Sequence, residues 1–126
     1  MKITPVLQVE EIEKSLPFWV DQLGFQKTVE VLDGDRLGFV ILQKRDAELM
    51  LQTEASVKKD LGDLAAQAGA PLPPTALYIE VADFPDTLQR LGNAPVIVPV
   101  RTTFYGMKEI VVREPGGHIA CFAAKA

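Results

Sequence analysis

The sequence predicts an α+β fold, built from two copies of one strand–helix–strand–strand–strand unit in a chain of 126 residues. Two observations indicate this duplication. The same order of predicted elements occurs on either side of a connector that is rich in alanine and proline. The two halves also share a local pattern, since LQVEEIEKSL near the start resembles IEVADFPDTL in the second half. Self-similarity of this length is typical of a repeated supersecondary unit.

We expect a single domain over residues 1–126, because a chain of this length buries about two-thirds of its unfolded surface. Helical spacing predicts a helix at 57–68, and the prolines after it favour extended backbone. The predicted division is module one at about 1–53, a connector at about 54–74 and module two at about 75–126.

Module one begins with a strand at 3–9 and a helical stretch that ends at Gly24. Apolar residues recur in that stretch at helical spacing, and Pro17 should kink the helix or restart it. We expect Trp19, which lies on the apolar stripe, to pack between helix and sheet. Phe18 lies off the stripe and is free for a dimer contact. Strands are then predicted at 25–32, 36–43 and 47–52, with a hairpin turn at Asp33–Gly34–Asp35.

Module two repeats this order of elements. Asp83 is placed to cap a helix, and Pro85 falls in the first turn, where proline is tolerated. A turn at 115–117, with one proline and two glycines, separates the last two strands. The predicted elements are strands at 75–81, 95–100, 107–113 and 118–124, with a helix at 83–92.

The composition excludes several kinds of site and partner. The chain has one His and one Cys, His118 and Cys121, which is too few for a typical zinc site, a Ser–His–Asp triad or a disulfide framework. His118 follows a turn, so we expect it to be exposed to solvent. The net charge of −4 argues against nucleic acid as a partner. No apolar run suggests a membrane span or signal peptide, and with a lone Cys we expect a cytoplasmic location.

Two stretches carry a family resemblance. LQVEEIEKSLPFWVDQLGF resembles the first-module signature of the vicinal oxygen chelate superfamily, and YGMKEIVVREPGGHIACF resembles its closing signature. This superfamily includes glyoxalase I, bleomycin-resistance proteins and extradiol dioxygenases. The resemblance covers nearly the whole chain and implies the glyoxalase/bleomycin resistance fold, in which paired βαβββ modules with curled mixed sheets form an open cup for the ligand. It also implies a homodimer, which is common in the family.

The resemblance implies four positions at which the metalloenzymes of the family hold their metal ligands. In this sequence those positions are Thr4, Met50, Ala76 and Cys121. None of them is His, Asp or Glu, and a divalent cation needs three or four converging ligands of suitable chemistry. Glu48 would fit only if the register were shifted by two residues. We therefore expect no metal, no cofactor and no catalytic residue, as in the metal-free bleomycin-resistance branch.

Strand alternation separates residues that face the predicted cup from those that pack under the helices. The polar side chains fall mostly on the cup face, so a one-residue slip in register would bury them. Aligning the two repeats adds Val40 and Leu42 to that face, and the aromatic loop before Gly106 is a candidate lid. The predicted ligand-binding residues are Gln8, Val40, Leu42, Glu48, Met50, Gln52, Tyr78, Glu80, Phe104, Tyr105, Glu109, Val111 and Cys121.

An apolar concave surface with a few polar groups is typical of a small-molecule site. Excess carboxylates favour an aromatic or cationic compound. We therefore predict a metal-independent binding protein of the bleomycin-resistance type, which sequesters such a compound in a homodimer. One alternative is a lyase, isomerase or dioxygenase-like enzyme of the same superfamily, with atypical metal ligands or with Glu48, Glu80 or Glu109 as a general base. Another is a module without a small ligand that acts through dimerisation.

Overall fold

The computed structural model describes residues 1–62 and 74–126, and the duplicated order of elements is confirmed. The chain divides into two compact units, Met1–Pro73 and Pro74–Ala126, each with one four-stranded mixed sheet. Part of the predicted connector, residues 63–73, lies outside the described residues. Within the described part, no helix is long and apolar enough to cross a membrane.

The first unit contains the strands β1 (Val6–Val9), β2 (Gln26–Asp33), β3 (Arg36–Lys44) and β4 (Ala47–Thr53), followed by the helix α1 (Glu54–Leu61). A 3₁₀ turn at Ile12–Lys14 and a π-helical segment at Pro17–Gln22 connect β1 to β2. The sheet order is β1-β4-β3-β2, with β1 parallel to β4 and the other pairs antiparallel. The first strand starts later than expected, at Val6, because Pro5 has no N–H to donate. Pro5 contributes its carbonyl instead, which accepts from the Met50 N–H at 2.9 Å.

The helical segment restarts at Pro17, as predicted, but its turn is wider than that of an α-helix. The Leu23 N–H donates to the Phe18 carbonyl, five residues back, at 3.1 Å. This extra residue in the turn lets both Phe18 and Trp19 point inward, and they are 2% and 0% exposed. Trp19 packs edge-to-face with Phe18 and Phe25, at centroid distances of 5.1 and 5.4 Å. The packing of Trp19 is confirmed, whereas the prediction that Phe18 is free for a dimer contact is wrong.

The first sheet has one buried face, and Val40 and Leu42 lie on it. Val40 pairs with Leu51 and Leu42 pairs with Leu49, so all four side chains project to the same side. Both Val40 and Leu42 are fully buried. The prediction that these two residues face the cup is therefore wrong, and neither is available to a ligand on the other face.

This error arises from the turn lengths of the two sheets. Met50 lies opposite Ile41 in the first sheet, and Cys121 lies opposite Val111 in the second. The chain between Val111 and Cys121 is one residue longer than the chain between Ile41 and Met50. Aligning the halves without a gap shifts β3 by one residue, and such a shift moves every side chain to the other face.

The second unit contains β5 (Ala76–Glu80), the helix α2 (Phe84–Leu91), β6 (Val96–Thr102), β7 (Met107–Arg113) and β8 (Ile119–Lys125). The sheet order β5-β8-β7-β6 repeats that of the first sheet, again with one parallel pair, β5 and β8. The start of α2 is capped as predicted, since the Asp86 N–H donates to Oδ1 of Asp83 at 3.0 Å. Pro85 occupies the first turn of α2.

His118 is buried rather than exposed, so that prediction is wrong. Only 6% of its surface is accessible, and its Nδ1 accepts from the Thr75 N–H at 2.9 Å. Its carbonyl accepts from the Glu114 N–H at 2.8 Å. The turn before β8 therefore folds the imidazole back against the residue that precedes β5, and His118 links the two ends of the second unit.

Candidate functional site

The strand pairing in the second unit places five of the predicted site residues on one face of the sheet. Tyr78 and Val111 both lie opposite Cys121, and Glu80 and Glu109 both lie opposite Ala123. Residues that pair directly across strands project to the same side of a sheet. We call this side, with Tyr78, Glu80, Glu109, Val111 and Cys121, the Cys121 face.

The other face of the second sheet packs into the apolar core of the unit. Ile110, Val112, Ala120 and Phe122 project to that side and are buried. The helix α2 contacts β8 and buries Phe84, Thr87 and Leu91. Polar site residues and apolar core residues are therefore on opposite faces, as strand alternation in the sequence predicts for β5, β7 and β8.

Glu109 is the centre of a hydrogen-bonded group on the Cys121 face. The hydroxyls of Tyr78 and Tyr105 both donate to its Oε2, each at 2.7 Å. Nη2 of Arg101 donates to its Oε1 at 3.2 Å. Glu109 is only 2% exposed, whereas Tyr78 and Tyr105 are each 52% exposed. We call these four residues the Glu109 cluster.

These contacts set the protonation states of the cluster. The hydroxyl of Tyr105, then that of Tyr78, lowers the pKa of Glu109, and Arg101 adds to this effect while burial opposes it. The same hydrogen bonds raise the pKa of both tyrosines, together with burial and the negative charge of Glu109. A hydrogen bond from Thr103 and the charge of Arg101 act in the opposite direction on Tyr105. The cluster therefore holds one carboxylate and two neutral phenols.

Arg101 was missed by the sequence analysis, although the sequence contains a signal for it. Arg101 lies directly opposite Glu109 in the β6–β7 pair. Opposite charges facing each other across an antiparallel pair stabilise it. Arg101 and Glu109 are each four residues away from Tyr105, which lies at the turn between β6 and β7. A hairpin centred on that turn therefore places them opposite each other.

The β6–β7 turn presents two aromatic rings. The turn is closed by the Thr103 N–H, which donates to the Met107 carbonyl at 2.8 Å, and by the Met107 N–H, which donates to Oγ1 of Thr103 at 3.0 Å. The rings of Phe104 and Tyr105 pack edge-to-face with a centroid distance of 5.0 Å. Phe104 is fully exposed. Closure of this turn over a ligand, as a lid, stays a prediction.

Cys121 lies between Tyr78 and Val111 and is half-buried. Burial, and next the charge of Glu109, raises the pKa of its thiol, while Arg101 opposes them. The thiolate is the nucleophile and the metal ligand, so a raised pKa makes Cys121 a poor candidate for either role. Its contribution to the Cys121 face is a small apolar surface.

The first unit brings together the four other predicted site residues. Gln8 lies opposite Gln52, and Met50 and Glu48 project to the same side of the sheet. Glu48 already forms an ion pair with Lys2 at 3.0 Å, and Nε2 of Gln52 donates to α1 residues. The sequence analysis missed Phe39, Ile41 and Gln43, which β3 places on this face in the positions assigned to Val40 and Leu42.

The side chains at the family's metal-ligand positions do not fit a metal. In the first unit they hold a threonine hydroxyl, which donates to Glu48 at 3.4 Å, and a methionine thioether. In the second unit they hold the methyl group of Ala76 and the thiol of Cys121. Within residues 1–62 and 74–126, no group of three or more His, Cys, Asp or Glu is placed to hold a metal ion.

Comparison with known proteins agrees with this fold. The family model of the Glyoxalase/Bleomycin resistance protein/Dioxygenase superfamily matches residues 3–122. Comparison with curated proteins finds no match. Solved structures match over almost the whole chain, and three of them illustrate the range.

A bleomycin-binding protein from Streptomyces verticillus, complexed with copper(II)-bleomycin, is 24% identical, with a TM-score of 0.64 over 100% of this chain and 97% of that chain. TioX from Micromonospora sp. ML1 is 14% identical, with a TM-score of 0.72 over 99% of this chain and 100% of its own. Lactoylglutathione lyase from Agrobacterium tumefaciens is 14% identical, with a TM-score of 0.74 over 98% and 92%. At these identities, the likeness shows a shared fold.

Proposed function

The chain belongs to the glyoxalase/bleomycin resistance protein/dioxygenase superfamily, and from that premise we propose that it binds a small aromatic or cationic compound without a metal ion and without transforming it. The observation that carries this proposal is the aromatic group on the second unit. Tyr78 and Tyr105 are half exposed and Phe104 is fully exposed. Exposed aromatic surface next to a few directed polar groups is typical of a ligand-binding surface.

The tyrosine rings are well suited to contact a flat ligand because their hydroxyls are anchored. Tyr78 and Tyr105 are each held by a 2.7 Å hydrogen bond to buried Glu109. A side chain that is already held in place loses less conformational entropy when a ligand binds. Tyrosine also offers a large contact area with few rotatable bonds.

The charges favour an aromatic ligand over a simple cation. Glu109 is paired with Arg101, and Glu48 is paired with Lys2. Each positive partner offsets the negative charge of its carboxylate, so both carboxylates attract a further cation less strongly. Among the described residues, Glu80 on the Cys121 face makes no ion pair with another side chain. A cationic group on the ligand would therefore interact with Glu80 and with the tyrosine faces.

The comparisons support a small-molecule ligand at the level of the fold. The bleomycin-binding protein from Streptomyces verticillus, which shares this fold, is complexed with copper(II)-bleomycin. We extend the proposal to a homodimer in the cytoplasm, following the family resemblance and the composition. The side chains at the four metal-ligand positions support a ligand that is held without a protein-bound metal.

Two measurements on the purified protein test this proposal. Elemental analysis should find no stoichiometric zinc, nickel or iron. Thermal unfolding in the presence of metal-free bleomycin and a panel of other aromatic compounds should show a ligand that stabilises the protein. A ligand at 100 times its dissociation constant adds about 2.7 kcal/mol to the free energy of unfolding.

A pair of variants locates the binding site. Phe104→Ala removes the exposed ring and should weaken binding of that ligand, while Val96→Ala removes a smaller, half-exposed apolar group from the opposite side of the second sheet. We expect Val96→Ala to bind normally. Stoichiometric metal, or no stabilisation by any compound, would contradict the proposal.

An enzyme remains the second candidate, because lactoylglutathione lyase from Agrobacterium tumefaciens shares the fold. A metal-free mechanism needs a general base with a pKa near neutrality. The pKa of Glu109 is lowered instead, which argues against Glu109 as that base. Mass spectrometry of a stabilising compound, recovered after incubation with the protein, separates the two candidates, since a binding protein returns it unchanged.

A further inference from the structure

The hydroxyl protons of both tyrosines are committed to a single oxygen atom. Tyr78 and Tyr105 each donate to Oε2 of Glu109 at 2.7 Å. A tyrosine hydroxyl has one hydrogen to donate. While these bonds are intact, neither hydroxyl has a hydrogen left for a ligand, and each oxygen can only accept.

The direction of these hydrogen bonds is fixed by the carboxylate. An ionised carboxylate accepts and cannot donate, so neither tyrosine can reverse its role with Glu109. Arg101, on the other carboxylate oxygen, is also a pure donor. The cluster thus has one arrangement of its protons, unlike a group of hydroxyls alone, which could rotate to suit either kind of ligand.

The two phenol oxygens are close together but not equivalent. Since both are 2.7 Å from the same atom, their separation cannot exceed the sum of those two distances. Thr103, acting as a hydrogen-bond donor, lowers the pKa of Tyr105, and no such effect acts on Tyr78. Within the described residues, Tyr78 makes no side-chain hydrogen bond except the one to Glu109, so its oxygen is the freer acceptor.

We propose that the Glu109 cluster selects planar aromatic compounds that donate N–H or O–H hydrogen bonds, and that the Tyr78 oxygen is the principal acceptor. This inference rests on the proposed function and names the chemistry of its ligand. A ligand with an acceptor at the same place would point it at a lone pair of the Tyr78 oxygen. Neither the ligand acceptor nor the Tyr78 oxygen would then have a hydrogen-bond donor. Sites built for one hydrogen-bonding role discriminate strongly against analogues that lack it.

Indole and benzofuran are matched probes for this selectivity. They have nearly the same size and shape, but indole has a ring N–H donor where benzofuran has a ring oxygen. Both are titrated into isotope-labelled protein, and chemical-shift changes at Phe104, Tyr105 and Cys121 give location and affinity. We expect indole to bind about three- to tenfold more tightly, as one additional hydrogen bond provides.

Two variants connect this selectivity to the cluster. Tyr78→Phe keeps the ring but removes the oxygen, so the ratio of the two affinities should fall to about one through weaker indole binding. Glu109→Gln introduces an amide N–H that donates to a tyrosine oxygen and frees its hydroxyl proton, so benzofuran should bind more tightly than in wild type. Val96→Ala is the control and should leave both affinities unchanged.

The outcomes separate the inference from the proposed function. If benzofuran binds as tightly as indole in the wild-type protein, or if Tyr78→Phe keeps the preference for indole, the inference is overturned while aromatic binding stands. If neither probe shifts the resonances of Phe104 or Tyr105, the site itself is contradicted. If Tyr78→Phe does not fold, Glu109→Gln decides the test, and an affinity ratio in that variant equal to the wild-type ratio overturns the inference.

Discussion

Glu109 is a buried carboxylate whose negative charge is offset by three hydrogen-bond donors. An uncompensated carboxylate is costly to bury, so loss of any one donor is expected to disturb the others. Because its charge is already shared by Tyr78, Tyr105 and Arg101, Glu109 has little attraction left for a cationic ligand. It serves instead as the anchor that holds two aromatic rings.

The tyrosines give a direct spectroscopic test of this role, because Tyr78 and Tyr105 are the only two in the chain. In the folded wild-type protein, both pKa values are raised, so phenolate absorbance should appear only above the ordinary tyrosine value of about 10. In Glu109→Gln the negative charge is gone, and the ultraviolet titration should move to lower pH. Wild-type absorbance that titrates at the ordinary value would contradict the cluster. Circular dichroism at each pH ensures that the protein is folded.

At the scale of elements, the turn that follows Pro17 decides how the first unit packs. In a regular α-helix Phe18 and Trp19 point about 100° apart, and the predicted apolar stripe includes Trp19 but not Phe18. The hydrogen bond from Leu23 to Phe18, five residues back, widens the turn and brings both rings into the core. The rule of 3.6 residues per turn does not apply to such a turn, so hydrophobic periodicity could not predict the burial of Phe18.

The burial of Phe18 predicts a large effect on stability. Phe18→Ala should lower the free energy of unfolding by about 3–5 kcal/mol, because it leaves a cavity beside Trp19. Phe104→Ala makes the same chemical change at a fully exposed position and should change it by less than about 0.5 kcal/mol. Urea denaturation of both variants measures the difference. Equal effects would mean that Phe18 is not part of the core.

His118 links β8 to the start of β5, and this link has a measurable strength. His118→Ala removes the acceptor of the Thr75 N–H from a part-buried hydrogen bond, which should cost about 0.5–1.5 kcal/mol. His118→Asn keeps an acceptor in a similar place and should lose less. Hydrogen exchange at the Thr75 amide reports the bond directly and should be faster in His118→Ala. Equal exchange rates in the wild type and both variants would show that this amide does not depend on the imidazole.

At the scale of the whole molecule, the order of elements and the strand faces of the second unit could be predicted from the sequence. Alternation along β5, β7 and β8 separated Tyr78 and Glu109 from the apolar residues, and that assignment is confirmed. Alternation within a strand can be read without aligning the two halves of the chain. The assignment of Val40 and Leu42 depended on aligning the halves, and a single extra residue in a turn was enough to reverse it.

The chemistry of the site was less predictable than the fold. The sequence indicated that Glu109 faces the same side as Tyr78, but not that its charge is offset by Arg101 and two hydroxyls. Those contacts depend on side-chain rotamers and on the conformation of the β6–β7 turn, which no spacing rule specifies. The expectation of a negatively charged surface followed from counting carboxylates without their partners, and two of the three predicted glutamates are paired.

The edge of the first sheet leads to a last prediction, which concerns the assembly of the protein. Strand β2 is one of the two edge strands of that sheet and exposes three apolar side chains, Val29, Val31 and Leu32. An exposed apolar edge strand tends to pair with another chain.

We predict that the protein is a homodimer and that Val31→Lys weakens it, because the dimer would have to bury the new charge. Sedimentation velocity over a range of concentrations should then show dissociation at higher concentration than in the wild type. Gln89→Lys places the same charge on an exposed position of α2 and should sediment like the wild type. A wild-type monomer at all concentrations, or an unchanged dimer in Val31→Lys, would show that β2 has no part in the assembly.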